Sequence, residues 1–339
     1  MRNDLKSVQR YIAPPQDIIN LANNENYNSR YFNLLKKEFT DELKNTPLIQ
    51  YGPATHEHLV EQYAKYIKKD YSQIMSAPGS DSLIAVLINA LTTKSVLVIE
   101  QDFFRYQQVA KILNREIITI KNNENLYQEI VRQSMQNNVE LIFLSNPNNP
   151  LGIRHDTNEL LHILKNTNCY VVIDEAYYEY QKQTMIDFIE EYDRLIILRT
   201  MSKAWGLAGL RVGFAITNKK LIDYLLAIQG PFTLSSLNAN LATCTLKKQE
   251  IMQEDVIKTI NEKQKLINFL NNYHNIKIYD SYTNFVYIEV ANALEIKEKL
   301  QQNERIAIAS FPNNGLRITI GNTLQMKQLY SGLKKYLKG

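Results

Sequence analysis

Between Gln73 and Thr217, short apolar runs alternate with segments of helical periodicity, and this alternation limits the fold more than any other feature of the chain. The runs are QIMSA, SVLVIE, REIITI, VELIFLS, CYVVID, RLIILR and VGFAIT, with helical stretches starting at Ser80, near Phe104, near Leu126 and at Asn158. Strands that are apolar at nearly every position, not at every second one, are covered on both faces. Such strands separated by helices call for an α/β fold with a mostly parallel, seven-stranded sheet. Ligands of these sheets gather outside the carboxyl ends of the strands, so chemistry is expected there.

The rest of the chain is arranged around that block. Residues 1–28 read as an irregular amino-terminal arm whose LANNENYN carries turn and capping chemistry, as a polar linker or as a pocket edge. FNLLKKEF and LVEQYAKYI are amphipathic helices flanking IQYGPATHEH, where Gly52-Pro53 forces a turn directly after Tyr51. Beyond Pro231 come long helical patterns reaching Leu270, then strands NFVYIEV, IAIAS and LRITI with helices ALEIKEKLQQ and MKQLYSGLKKYLK, a smaller α+β unit. Lys334, Lys335 and Lys338 suit the carboxyl end of the last helix. The expected division is an arm (1–28), a large domain (29–235) and a small domain (236–339).

Composition excludes several function classes. A formal charge of +4 over 339 residues, with scattered lysines, predicts no nucleic-acid surface. The longest apolar run, Ser82 to Leu91, is too short to span a bilayer, and the amino terminus, broken by Pro14-Pro15, lacks the apolar core of a signal peptide. Cys169 and Cys244 form neither a CxxC pair nor a disulfide framework, which suits a reducing compartment, the cytoplasm. His56 and His58 point to opposite faces of an extended segment, and no metal-ligand spacing occurs elsewhere, so no metal is expected.

Chemically capable residues stand at the strand ends. After QIMSA, Pro78-Gly79 leads into a helix at Ser80-Asp81, which offers free backbone N–H groups to an anion or is simply capped by Ser80. Phe103 or Phe104 can stack on a flat ring or fill core. Asn149-Pro150 fixes a turn whose amide can donate to an oxygen or merely shape the turn. Asp174 ends CYVVID, where an unpaired carboxylate is costly to bury; it meets a cation or caps a helix, and Tyr177 lies three residues on. Thr200, Ser202, Lys203 and Arg211 bring two hydroxyls, an amine and a guanidinium to the loop after RLIILR, groups suited to holding a phosphate beside a reactive amine that can take up an aldehyde; otherwise Lys203 is an ordinary exposed lysine and Gly206, Gly209 and Gly213 merely allow tight turns. A lysine among apolar neighbours and near a cation loses proton affinity, which frees its lone pair for such an aldehyde. Arg317, inside the apolar LRITI, needs an anion, either a substrate carboxylate or a structural partner.

In chain order, GSDS at 79–82, NPNNPLG at 146–152, DEAYYE at 174–179, TMSKAWGLAGLRVGF at 200–214 and GLRITIG at 315–321 resemble fold-type I pyridoxal-phosphate aminotransferases, most of all histidinol-phosphate aminotransferases. The resemblance implies pyridoxal 5'-phosphate attached to Lys203, Asp174 paired with the pyridine nitrogen, and Tyr177 with Asn149 at the ring oxygen. It implies a cofactor phosphate held by Ser80, Thr200, Ser202 and Arg211 with help from Gly79 and Asp81, a ring stacked by Phe103, and a substrate α-carboxylate on Arg317. Tyr51 matches a tyrosine that reaches the neighbouring subunit's cofactor phosphate, implying a homodimer with shared sites. The implied reaction is ping-pong transamination between histidinol phosphate or a related, even aromatic, amino donor and a 2-oxo acid such as 2-oxoglutarate. Two alternatives share the fold: a threonine-phosphate decarboxylase and a non-catalytic cofactor-binding protein. Leu151 and Met201 depart harmlessly from the family pattern, whereas Ala309 or Ser310 stands where histidinol-phosphate enzymes carry an arginine aimed at the substrate phosphate.

Overall fold

The computed structural model describes residues 5, 6, 8, 11–15, 17–54 and 56–337; Lys338 and part of the expected arm lie outside the described residues. The first strand, β1 (Ile19–Leu21), belongs to the arm. The alternating block then forms β2 (Ile74–Ala77), β3 (Ser95–Ile99), β4 (Glu116–Ile120), β5 (Leu141–Ser145), β6 (Tyr170–Asp174), β7 (Leu195–Thr200) and β8 (Gly213–Ile216). These make a seven-stranded sheet of order β2-β8-β7-β6-β5-β3-β4, parallel except for β8, which runs against β2 and β7.

Both faces are buried, which explains the unbroken apolar runs. Along β3, Leu97 and Ile99 enter one core while Val96 and Val98 enter the other; along β6, Val171 and Ile173 oppose Val172 in the same way. Each such side chain stabilises the fold by about 1.5–3 kcal/mol when fully buried. Helix Ser80–Leu91 covers one face with Leu83, Ile84, Leu87, Ile88 and Leu91, at helical spacing. Helix Glu57–Ile67 covers the other with Leu59, Val60 and Tyr63. In register, Ser145 pairs with Asp174 and Asp174 with Leu198, while Ala77 and Thr200 both face Gly213. The carboxyl ends that carry the candidate residues therefore share one edge.

A second sheet is built from β9 (Ile276–Ile278), β10 (Phe285–Val290), β11 (Ile306–Phe311) and β12 (Gly315–Thr319), in the order β1-β11-β12-β10-β9. It is antiparallel apart from β1, which lies parallel to β11 with Ile19 opposite Ile306. The arm is thus not irregular throughout; its strand is three residues long and its partner lies near the other end of the chain, beyond the reach of local periodicity. The 22-residue helix Gln249–Leu270 runs from one core to the other, placing Met252 and Val256 in the large-sheet core and Leu266 and Leu270 in the small-sheet core. Ala239, Ala242 and Leu246 of helix Ser236–Leu246 also pack in the large-sheet core. FNLLKKEF divides at Leu35 into helices Tyr31–Leu34 and Lys36–Asn45. Among the described residues no helix is long and apolar enough to cross a membrane.

Candidate active site

The edge of carboxyl ends faces β11, β12 and the arm across a cavity of about 1340 Å³. Ser80, Asp81, Phe103, Phe104, Asn149, Asp174, Tyr177, Thr200, Ser202, Lys203, Arg211 and Arg317 all line it. Tyr51 does not; it is 84% exposed and stacks on Phe232 with ring centroids 4.7 Å apart.

At one end of the cavity is an anion cradle. The helix Ser80–Leu91 begins after Gly79 with no side-chain cap, so Ser80 does not cap it; the Ser82 N–H turns back to the Gly79 carbonyl at 3.3 Å, and no side chain among the described residues competes for the Ser80 and Asp81 N–H groups. Around that end, Thr200 Oγ1 donates to Ser202 Oγ (3.0 Å) and accepts from the Ser202 N–H (3.1 Å). Arg211, in the left-handed region with φ 52°, donates to Ser202 Oγ at 3.3 Å. Gly79 makes this packing possible, since a Cβ there would sit 2.5 Å from the Arg211 guanidinium. Gly213 does the same beneath the helix, where a Cβ would lie 2.2 Å from the Ser80 nitrogen. Asp81 is held by Arg105, with Nε to Oδ1 at 2.7 Å and Nη2 to Oδ2 at 3.1 Å, so its charge is already balanced.

In the middle lie the amine and the acid. Lys203 Nζ donates to the Asn23 carbonyl at 3.1 Å and lies 5.9 Å from the centre of the Tyr177 ring. Burial, reinforced by the Arg317 and Arg211 charges, lowers its pKa to about 8. Asp174 is 4% exposed and accepts from Tyr106 Oη (2.8 Å) and the Ala176 N–H (3.1 Å). Burial raises its pKa to about 6 against the pull of those two donors. It forms no ion pair among the described residues and caps no helix, leaving room for a cation at the cavity. Tyr177 Oη accepts from Asn24 Nδ2 at 2.8 Å, and burial pushes its pKa up to about 12. Phe103 meets Phe104 and Tyr106 edge-on, and Phe104 is the more exposed of the two phenylalanines at 54%.

At the far side, Arg317 Nη1 donates to Asn149 Oδ1 and Nη2 to the Ala22 carbonyl at 2.6 Å, while its buried Nε has no partner. Among the described residues it pairs with no carboxylate, which removes the structural ion pair as its explanation. Burial lowers its pKa, as expected of a guanidinium held away from water without an anion. Sequence reasoning missed Tyr106, Asp102 and Arg105, and left Asn24 undecided within its asparagine-rich segment. Among the described residues no group of three or more His, Cys, Asp or Glu side chains is placed to hold a metal.

Known proteins share this plan. A model of the aminotransferase class I and II family matches residues 16–333. The chain is 32% identical over 311 residues to a histidinol-phosphate aminotransferase of Caldanaerobacter subterraneus subsp. tengcongensis, covering 89% of this chain and 88% of that protein. It is 30% identical over 347 residues to one from Clostridium kluyveri, covering 99% and 98%. Among solved structures it resembles histidinol-phosphate aminotransferase from Sinorhizobium meliloti in complex with pyridoxal-5'-phosphate, with a TM-score of 0.89, 19% identity and coverage of 99% and 96%. It also resembles L-threonine-O-3-phosphate decarboxylase from Porphyromonas gingivalis, with a TM-score of 0.83, 20% identity and coverage of 95% and 100%; at such identities these two likenesses establish the fold alone. The mostly parallel α/β sheet expected from the strand pattern is the one found, as is the fold type I that the motif resemblance implied, and the chain belongs to the class I and II aminotransferases, enzymes that move an amino group between small molecules.

Proposed function

We propose that this aminotransferase binds pyridoxal 5'-phosphate in the cavity, takes histidinol phosphate or a related amino-phosphate or aromatic amino acid as donor, and returns the amino group to a 2-oxo acid, 2-oxoglutarate. The observation that carries the reading is the Lys203 amine, poised near pH 8, in one cavity with a buried, unpaired Asp174 and an uncapped helix end ringed by hydroxyls. Relatives of the same name in two genera support the donor class.

The residues fit this cofactor on physical grounds. A phosphate suits the free N–H groups at Ser80 with the Thr200 and Ser202 hydroxyls and Arg211, and Gly79 leaves space that a side chain would fill. A protonated pyridine nitrogen would give Asp174 the cation it lacks. Pyridoxal phosphate supplies an electrophilic aldehyde for the donor nitrogen and a ring that stabilises negative charge at Cα. Lys203 Nζ, made less basic by burial, would accept the proton from the donor's Cα and, in the second half of the reaction, would deliver a proton to Cα of the 2-oxo acid as it gains the amino group. Asn149 has its Oδ1 taken by Arg317, which leaves Nδ2 to donate to the ring oxygen beside Tyr177 Oη. Arg317, with Nε free, receives the α-carboxylate of the 2-oxo acid or of an amino-acid donor; histidinol phosphate itself carries none. Phe103 is the stacking ring.

The remote end of the donor meets a changed wall. Ala309 and Ser310 line the cavity where an arginine was expected, and one lost charge-assisted bond is worth about 1.5–3 kcal/mol. Lys297, on helix Ala293–Asn303, lines the same end without a partner among the described residues and can meet a distal anion instead. Tyr51, with exposed Leu48 and Ile49 beside it, supports a homodimer in which Tyr51 reaches the second subunit's phosphate. Free Cys169 and Cys244 agree with a cytoplasmic enzyme.

The test mixes cofactor-loaded protein with histidinol phosphate, phenylalanine, tyrosine or threonine phosphate in the presence of 2-oxoglutarate, and measures glutamate and carbon dioxide. Glutamate from histidinol phosphate without carbon dioxide is expected. Carbon dioxide from threonine phosphate with no glutamate would replace the reading by decarboxylation, and a bound cofactor inert to every donor would reduce the protein to a binder.

A further inference from the structure

One carboxylate in the cavity wall has no part in the mechanism above. Asp102 follows β3, lines the cavity and forms no ion pair among the described residues. Its Oδ1 accepts from the Phe103 N–H (2.7 Å) and from Ser145 Oγ, and its Oδ2 accepts from the Ser145 N–H at 3.1 Å. Ser145 ends β5, in register with Asp174 on β6. Its hydroxyl accepts from the Asn149 N–H at 3.1 Å, so its own proton is committed to Asp102. Asn149 in turn receives Arg317.

We propose that Asp102 is a positioning residue for the cofactor ring: its three hydrogen bonds tie Phe103 on one side to Asn149 on the other by way of Ser145, so the stacking face and the ring-oxygen donor are held as one unit. The inference rests on the cofactor reading above. The hydrogen-bond polarity explains the residue type. All three groups facing Asp102 are donors, and a carboxylate accepts at every lone pair, whereas a carboxamide would set its own N–H against one of them. Burial raises the Asp102 pKa to about 7, reinforced by the Asp174 charge, and the three donors oppose that rise because each favours the ionised form.

The test compares wild type, Asp102→Asn, Ser145→Ala and the double variant, each titrated with pyridoxal phosphate and read by its visible absorbance, induced circular dichroism and cofactor Kd. Unfolding midpoints of the cofactor-free proteins are measured alongside. Each single change is expected to raise Kd about tenfold and alter the induced dichroism, with the double no worse than the worse single because both cut one chain of bonds. A spectrum and Kd unchanged in Asp102→Asn, whether or not its unfolding midpoint falls, would overturn the proposal. Additive effects would also overturn it, since Ser145 would then not be the route. If Asp102→Asn does not fold, Ser145→Ala alone decides by the same spectral readout. Wild type that forms no Lys203-dependent visible band would instead defeat the cofactor reading itself.

Discussion

Arg199 and Arg317 occupy nearly the same local sequence, LIILRT on β7 and GLRIT on β12, and meet opposite fates. Arg199 is 2% exposed, donates to Glu175 Oε2 through Nε (3.0 Å) and Nη2 (2.7 Å), donates again to Thr184 Oγ1, and lies 3.6 Å over the Tyr178 ring. Burial opposes its charge, but Glu175 outweighs burial and its pKa is raised. Arg317 has rings of Phe285 and Phe311 at 5.3 and 5.4 Å, an amide, a carbonyl and an idle Nε, and its pKa is lowered by burial. A guanidinium held away from water favours an anion; Arg199 has one in Glu175, whereas Arg317 has none among the described residues, which agrees with the carboxylate-binding role proposed for it. The difference separates a structural ion pair from a guanidinium without one, and no feature of the two strands themselves announces it.

The sharpest way to probe that contrast is to empty the ligand-facing set. Lys203→Ala should abolish transamination and the visible band of the bound cofactor while leaving the unfolding free energy within about 1 kcal/mol, measured by urea titration. Retained turnover would remove Lys203 from the chemistry. Arg199→Met should act oppositely, costing about 3–5 kcal/mol of stability by stranding Glu175, with donor KM little changed in the protein that still folds. Arg317→Met should leave the urea midpoint near wild type and lower kcat/KM for an α-carboxylate donor by about 10- to 100-fold, the size of a lost charge-assisted pair. Equal destabilisation by the two arginine variants would break the comparison.

The smallest expected effect concerns pH. The folded chain holds Lys203 near pKa 8, below an exposed lysine, so between about pH 8 and pH 10 the unfolded chain binds the extra proton. Stability of the cofactor-free protein from this group therefore rises with pH across that window. Lys263, also lowered to about 8 by burial and donating to the Ser281 and Thr283 carbonyls, adds to the same slope. Lys203→Met should flatten the rise in part; an unchanged slope would mean that the amine is not desolvated.

How much could be read beforehand follows from the range of each signal. Burial on both faces writes itself into every residue of β3, β5, β6 and β7, so the large sheet and its carboxyl edge were legible. The strands β1 and β9 are three residues each, too short to show a period. Helix Lys219–Gln229 is absent from the expectation although Asn218 ahead and Gly230 behind mark its ends. The candidate residues at strand ends converge on one cavity, but their supports were hidden. Tyr106 reaches Asp174 across 68 residues, and Asn24 reaches Tyr177 across 153; a tyrosine inside a helix and an asparagine in a turn carry no local mark of such partners. Tyr51 is exposed and does not line the cavity of its own chain, so the role expected of it belongs to the proposed homodimer.

The pairing of β1 with β11 dictates a timetable for synthesis. Ala22, Asn23 and Asn24, just past β1, supply contacts to Arg317, Lys203 and Tyr177, yet the strand that anchors them, Ile306–Phe311, is made only after every strand of the large sheet. A nascent chain can complete its large sheet first, but it cannot close the cavity until Ile306–Phe311 has been made.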